Sequence, residues 1–178
     1  MKVLIGYASK TGTAKSCAES LQKELRGQTV TVADLERESP ELREYDLVIL
    51  GSSVRFGKAR PKFTEYLRSH KGELMEIPHG FFLCCGFGHE FERYEKKIFD
   101  AKLLDTAFSS LNFGGVLRLP NASRLERLFL RWVRSDIRNS EIEDGEYTPE
   151  MPDVLPENIS MMASCVRREL AIIKKRKG

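Results

Sequence analysis

The chain has 178 residues, 41% hydrophobic and 31% charged, with a formal net charge of +3. That length favours one domain with a proper buried core, and the balance excludes a disordered or low-complexity chain. The longest apolar run, Gly80–Gly88, falls far short of the roughly 18–20 residues a membrane-spanning helix needs, and no secretion signal precedes Val3–Tyr7. The four cysteines, Cys17, Cys84, Cys85 and Cys165, match no zinc spacing and read as reduced thiols of a cytoplasmic protein.

Taken in order, the elements alternate in type. Val3–Tyr7 reads as a buried strand, and Thr13–Arg26 as a helix with Cys17, Ala18, Leu21 and Leu25 on one face, ended by Gly27. Residues 29–35 read as a second strand. Residues 46–53, "DLVILGSS", read as a central parallel one. Pro61–His70 predicts a helix with Phe63, Tyr66 and Leu67 inward. A fourth strand over 80–86, a helix over 93–107 and a fifth strand over 113–119 follow. The last helix runs from about Pro156 to Lys175, with Ile159, Met162, Ala163, Val166 and Leu170 inward. This rhythm predicts a doubly wound α/β fold, a parallel sheet covered by helices on both faces. Its one interruption, about 118–155, is too long for an ordinary strand-to-helix connection and reads as an insertion in a single domain, 1–178.

Ligands of such sheets bind beyond the carboxyl ends of the strands, and three ends are chemically unusual. The first is Ser9-Lys10-Thr11-Gly12-Thr13 at a helix start. Backbone amides, hydroxyls and a glycine there suit an anion, although a helix capped by Thr11 or Thr13 explains the same residues. It is neither a Walker loop nor a GxGxxG turn. The second end, Gly51 to Phe63, offers Ser53, Val54, Arg55, Phe56 and Gly57. Phe56 either stacks on a planar heterocycle or packs on the following helix. The third, Cys84 to Tyr94, offers Cys85, Gly86, Phe87 and Gly88, with close backbone approach at the glycines. His89 in this loop is a weak candidate for proton or metal chemistry, and no residue stands out as catalytic acid or base.

One phosphate-type loop and two glycine/aromatic loops in this order resemble the flavodoxin family. Its signature is an aromatic, any residue, Ser or Thr, two residues, Gly, and Thr after one more, with Ala in the helix. Tyr7, Ser9, Gly12 and Ala18 fit, while Ala14 stands where the threonine is expected and Gly6 where an apolar residue is. The stretches "YDLVILGSSVRFGKARPKFTEYLRSH" and "FGGVLRLPNASRLERLFLRWV" are similar to the menaquinone-dependent protoporphyrinogen oxidase branch of that family. The similarity spans residues 1–135. Beyond it, "RSDIRNSEIEDG" and "YTPEMPD" replace the branch's Gly-rich segment and its Tyr-Thr-Asp-Trp lead into the last helix.

The resemblance implies a five-stranded sheet in the order 2-1-3-4-5 and flavin mononucleotide (FMN) as cofactor. Ser9, Lys10, Thr11, Gly12 and Thr13 would hold its phosphate. Ser53, Val54, Arg55, Phe56 and Gly57, with Cys85, Gly86, Phe87 and Gly88, would hold the ring, with Tyr94 a further cover. Arg55 would favour a reduced, anionic flavin or a substrate carboxylate; a solvated arginine is the plainer alternative. The implied activity passes electrons from a porphyrinogen to a quinone or redox protein.

The insertion carries six arginines between Arg118 and Arg138 against Glu126 and Asp136, a local charge of +4. Arg124, Arg127, Arg131, Arg134 and Arg138 share one helical face, opposite Leu125, Leu128, Phe129, Trp132 and Val133. Such a helix suits the inner face of a cell membrane or an acidic tetrapyrrole, with Arg124, Arg127, Arg131, Trp132 and Arg134 as contacts. It equally suits packing on the core, with the arginines paired to "SEIEDGE". No motif that reads nucleic acid accompanies it. Two other functions stay open: an electron carrier or quinone reductase without porphyrin chemistry, and a flavin-free binding module, which Ala14 keeps in view.

Overall fold

The computed structural model describes residues 1–86, 88–115 and 154–177. Phe87 and the insertion residues Arg124, Arg127, Arg131, Trp132 and Arg134 lie outside them.

Five parallel strands form one sheet in the order β2-β1-β3-β4-β5. They are β1 (Lys2–Ala8), β2 (Thr29–Asp34), β3 (Leu47–Ser53), β4 (His79–Cys84) and β5 (Ser109–Asn112). Each half of the strand alternation feeds its own core. Val3, Ile5, Leu47, Ile49 and Phe82 pack with α1 (Thr13–Glu24) and the last helix (Pro156–Lys177), through Cys17, Leu21, Ile159, Met162 and Val166. Leu4, Val48, Leu50, Phe81 and Leu83 face the other way. They meet α2 (Pro61–Ser69), α3 (Lys71–Leu74), α4 (Phe91–Ile98) and α5 (Ala101–Thr106). The last helix is α6. Among the described residues, no helix is long and apolar enough to cross a membrane.

Two elements differ from the sequence reading. The helix expected over 93–107 is broken into α4 and α5. Phe99 between them is extended (φ −97°, ψ 146°), which lets its ring stack on Phe81 at 4.2 Å and meet Phe63 edge-on at 6.0 Å. Asp100 then restarts the helix, its Oδ1 accepting the Lys102 N–H at 3.0 Å. The fifth strand of the sheet is Ser109–Asn112; of the expected 113–119, residues 116–119 lie outside the described residues, and 113–115 follow the strand. An edge strand pairs on one side only, so "SSLN" needs no continuous apolar run. Gly114, at φ +73°, turns the chain out of the ladder instead.

Gly51 shows how tightly β3 and β4 are matched. A Cβ there would lie 2.3 Å from the Phe82 ring, and Phe82 cannot swing away because it stacks on Phe113 at 4.5 Å. Gly51→Ala is therefore expected to cost about 3 kcal/mol, a fall of about 10 °C in thermal unfolding. Gly72, whose Cβ would meet nothing within 4 Å, is the control: alanine in that helix leaves stability unchanged or slightly raised.

Candidate functional site

β1 and β3 are neighbours, yet α1 follows the first on one face of the sheet and α2 follows the second on the other. In doubly wound sheets this reversal of winding is where a ligand crevice opens, between the carboxyl ends of the two strands. The loops after β1, β3 and β4 therefore share one edge of the sheet.

The first loop is closed on itself: the Gly12 N–H donates to Ser9 Oγ at 3.0 Å. Gly12 is the N-cap of α1, in the left-handed region at φ +89°, and its carbonyl accepts the Ser16 N–H at 2.9 Å. No side chain caps this helix and no acidic residue lies in its first turn, so the Thr11 or Thr13 cap considered from the sequence is not formed. A Cβ on Gly12 would meet nothing within 4 Å, so the loop leaves its backbone open on that side. Ala14, by contrast, is fully buried against the sheet. Uncapped first-turn amides, a glycine and the Ser9, Thr11 and Thr13 hydroxyls, with Lys10 exposed beside them, are the kinds of group that can hold an anion at a helix start.

The second loop is a tight hairpin. Arg55 and Lys58 exchange two backbone hydrogen bonds, of 2.9 and 3.1 Å. Phe56 (φ +51°) and Gly57 (φ +67°) hold the two tip positions, the pattern of a type I′ turn. Asn-Gly is the usual choice there. Among the described residues, Phe56 is the only non-glycine at positive φ, and it is 60% exposed. Holding a large aromatic ring at positive φ costs about 1–3 kcal/mol, and such strained positions cluster at functional sites. The Arg55 guanidinium lies 5.3 Å from the Phe56 ring centre.

Neighbouring groups hold that hairpin in place. The Val54 N–H donates to the Cys84 carbonyl at 2.9 Å, tying it to β4. The buried Ser52 hydroxyl accepts the Arg60 N–H at 3.0 Å. Arg60 Nε pairs with Glu36 Oε1 at 2.6 Å, and Gly57 sits against Tyr94, whose ring a Cβ would approach to 3.0 Å. Burial first, then the Glu90 carboxylate, pushes the Tyr94 phenol up, so it stays protonated.

In the third loop the buried Cys85 donates its N–H to Asn112 Oδ1 at 3.3 Å, and the same oxygen accepts the Gly114 N–H at 3.0 Å. Asn158 Nδ2 of α6 donates to the Asn112 carbonyl at 2.7 Å. A Cβ on Gly115 would lie 2.9 Å from the Gly86 nitrogen. Gly88 opens a 3₁₀ turn through Glu90. Ser52, Asn112 and Asn158 were not singled out from the sequence. Ser52 and Asn112 end apolar runs at the carboxyl ends of their strands, and Asn112 was hidden by starting the fifth strand four residues too late, at 113 instead of Ser109.

Residues 4–141 match the flavodoxin domain family. Over 85 residues the chain is 33% identical to protoporphyrinogen IX dehydrogenase (quinone) of Escherichia coli strain K12, covering 46% of this chain and 47% of that protein. The protein of the same name from Leishmania major is 29% identical over 85 residues, covering 46% of this chain and 37% of its own length. The matched region thus spans about half, or less, of these relatives. Oxidised flavodoxin 2 of Bacillus cereus superposes with a TM-score of 0.53 at 17% identity, over 95% of this chain and 99% of that one. With well over half its length matched and the 2-1-3-4-5 parallel sheet in place, the chain belongs to the flavodoxin family.

Proposed function

We propose that this protein is an FMN-dependent oxidoreductase that takes electrons from a porphyrinogen and passes them to a quinone. The observation that carries the cofactor is the first loop: an uncapped helix start, a left-handed glycine with open space beside it, and three hydroxyls. These fit a phosphate monoester. The exposed Phe56 at the hairpin tip, with the backbone of Ser53–Gly57 and of Cys85, Gly86 and Gly88, fits the faces and edge of a planar ring. When bound, the flavin supplies the electron chemistry. The chain supplies the anion receptor on Ser9–Thr13, the aromatic cover at Phe56, and a loop framework fixed by Ser52 and Asn112. Arg55 places a cation beside that cover, suited to a substrate carboxylate.

The likeness to the two quinone-linked dehydrogenases supports the substrate and acceptor. Work at the inner face of a cell membrane follows from the same reading, with the basic insertion as the contact. The decisive measurement is the visible spectrum of the freshly purified protein, repeated after adding FMN. Flavin bands, with quenched flavin fluorescence, are expected, followed by porphyrinogen turnover when a quinone is present. A colourless protein that takes up no added FMN overturns the cofactor assignment and leaves a binding module.

A further inference from the structure

The sheet ends in β5 on one side, where Gly114 bridges Val154 at the root of the insertion, and in β2 on the other. The Leu35 N–H donates to the Tyr7 carbonyl at 2.8 Å, which sets the phase of the β1–β2 ladder. Thr31 and Ala33 turn their backbone groups inward as Leu35 does, while Val30 and Val32 turn theirs outward. Gln22 Nε2 reaches the outward Val30 carbonyl at 3.2 Å. Among the described residues, nothing bonds the Val30 N–H or either backbone group of Val32. Protein edges are ordinarily blunted by proline, lysine, a bulge or a covering element. Thr29–Asp34, "TVTVAD", contains no proline or lysine, and its register with β1 runs unbroken. The crossover to β3 holds only the 3₁₀ turn Leu42–Glu44, and Thr29 and Thr31 stay exposed.

We propose that this edge pairs with the same edge of a second copy, β2 against β2 and antiparallel, about a twofold axis through Thr31. Such a contact is self-complementary. Val30 of each copy lies opposite Val32 of the other, and each of these pairs exchanges two N–H···O=C bonds. Gln22 need not leave, since the Val30 carbonyl has a second lone pair. Thr31 meets its own copy between the two bonded pairs, where β-branched side chains stand close. Charge selects the direction. Before the strand, Lys23 and Arg26 outweigh Glu24; after it, Asp34, Glu36 and Glu38 outweigh Arg37. Arg26 and Glu38 are exposed. Antiparallel pairing lays each positive end beside a negative one, whereas parallel pairing sets like against like. A single strand pair covers less than the roughly 1,600 Å² of a standard interface, so the dimer is weak and forms with rising concentration. The loops after β1 and β3 of the two copies then lie at opposite ends of one joint sheet, and neither copy covers the other's.

Sedimentation velocity of the full-length protein, from low micromolar to near-millimolar concentration and with and without FMN, is the test. A reversible shift from monomer to dimer is expected in both series, with the Val30 and Val32 amides gaining protection from hydrogen exchange as the dimer fills. Thr31→Lys sets two ammonium groups face to face at the axis and is expected to abolish the dimer. Val32→Pro removes an outward donor that an edge strand can spare, with the same result; circular dichroism confirms that each variant is folded. Cα atoms across a pair of this kind stand about 4.5 Å apart, within disulfide reach. Thr31→Cys is therefore expected to link two copies under mild oxidation, while Thr29→Cys and the unsubstituted protein stay unlinked. A monomer at every concentration overturns the proposal, as does a dimer that survives both Thr31→Lys and Val32→Pro. A dimer that appears only after residues 119–138 are deleted also overturns it, and assigns the edge to the insertion. Because the shift is scored without flavin as well as with it, its outcome is separate from that of the cofactor assignment.

Discussion

Gly12→Val is expected to weaken FMN binding about a hundredfold while leaving the chain folded. Two features of one residue give this result. At φ +89° a β-branched side chain is strained by about 1–3 kcal/mol, so the loop shifts rather than holding its shape. The shift breaks the Ser9–Gly12 closure and turns the first amides of α1 away from a common point. Hydrogen bonds to a charged group are worth about 1.5–3 kcal/mol each, so losing one or two accounts for the factor. The core is spared, because the space a Cβ enters at Gly12 contains no protein atom within 4 Å. Fluorescence titration against FMN and thermal unfolding measured on the same sample check both halves. Undiminished affinity would place the phosphate elsewhere; a collapsed fold would mean that Gly12 serves stability rather than an anion. Gly51→Ala is the mirror image, since its Cβ meets the Phe82 ring and no ligand.

How much of this was legible beforehand depends on what each residue had to say locally. The parallel strands β1, β3 and β4 are buried on both faces, so they appear as short, nearly unbroken apolar runs bounded by small and polar residues. The inward faces of α1, α2 and α6 were readable for the same reason, as a 3.6-residue repeat. Burial of Cys17, Leu21, Phe63, Tyr66, Ile159 and Met162 matches it. What failed was long-range. Ser109–Asn112 becomes a strand only because β4 lies beside it, and Phe99 breaks a good helix only because Phe81 and Phe63 await its ring.

The site divides along the same line. Its three loops could be located, since small residues after an apolar run mark a strand's carboxyl end. Conformation could not be read so easily. Phe-Gly is an unusual type I′ tip, and its geometry is imposed by the Arg55–Lys58 pairing and the Tyr94 ring behind Gly57. Asn112 was illegible as the residue that fixes the third loop, because its part lies in contacts to Cys85, Gly114 and Asn158. Cys85 and Asn158 are far from Asn112 along the chain and meet it only when the sheet closes.

Deleting residues 119–138 is expected to abolish both porphyrinogen turnover and binding to anionic liposomes, with FMN still bound. The described residues at either side of the insertion explain why the cut is tolerable. Gly114 and Val154 form an antiparallel bridge, the Leu155 N–H donates to the Phe113 carbonyl at 3.0 Å, and Asn158 holds Asn112 at 2.7 Å. The chain therefore leaves and re-enters the fold at one place, and the closure survives without what lies beyond it. That place adjoins the third loop, where Gly115 presses on Gly86, so the insertion is rooted at the rim of the proposed ring site. The deleted stretch carries most of the local +4 charge of the Arg118–Arg138 segment. At about 1 kcal/mol per basic residue near an anionic surface, loss of its five arginines removes membrane affinity by roughly several thousandfold. An electron carrier would behave differently: with flavin bound and no porphyrinogen to accommodate, it would exchange electrons with a quinone at an unchanged rate after the deletion. Liposome co-sedimentation, flavin absorbance and anaerobic porphyrinogen turnover, measured on the same truncated protein, separate the two. Turnover unchanged by the deletion would remove the insertion from substrate handling and leave the carrier as the better account of the fold.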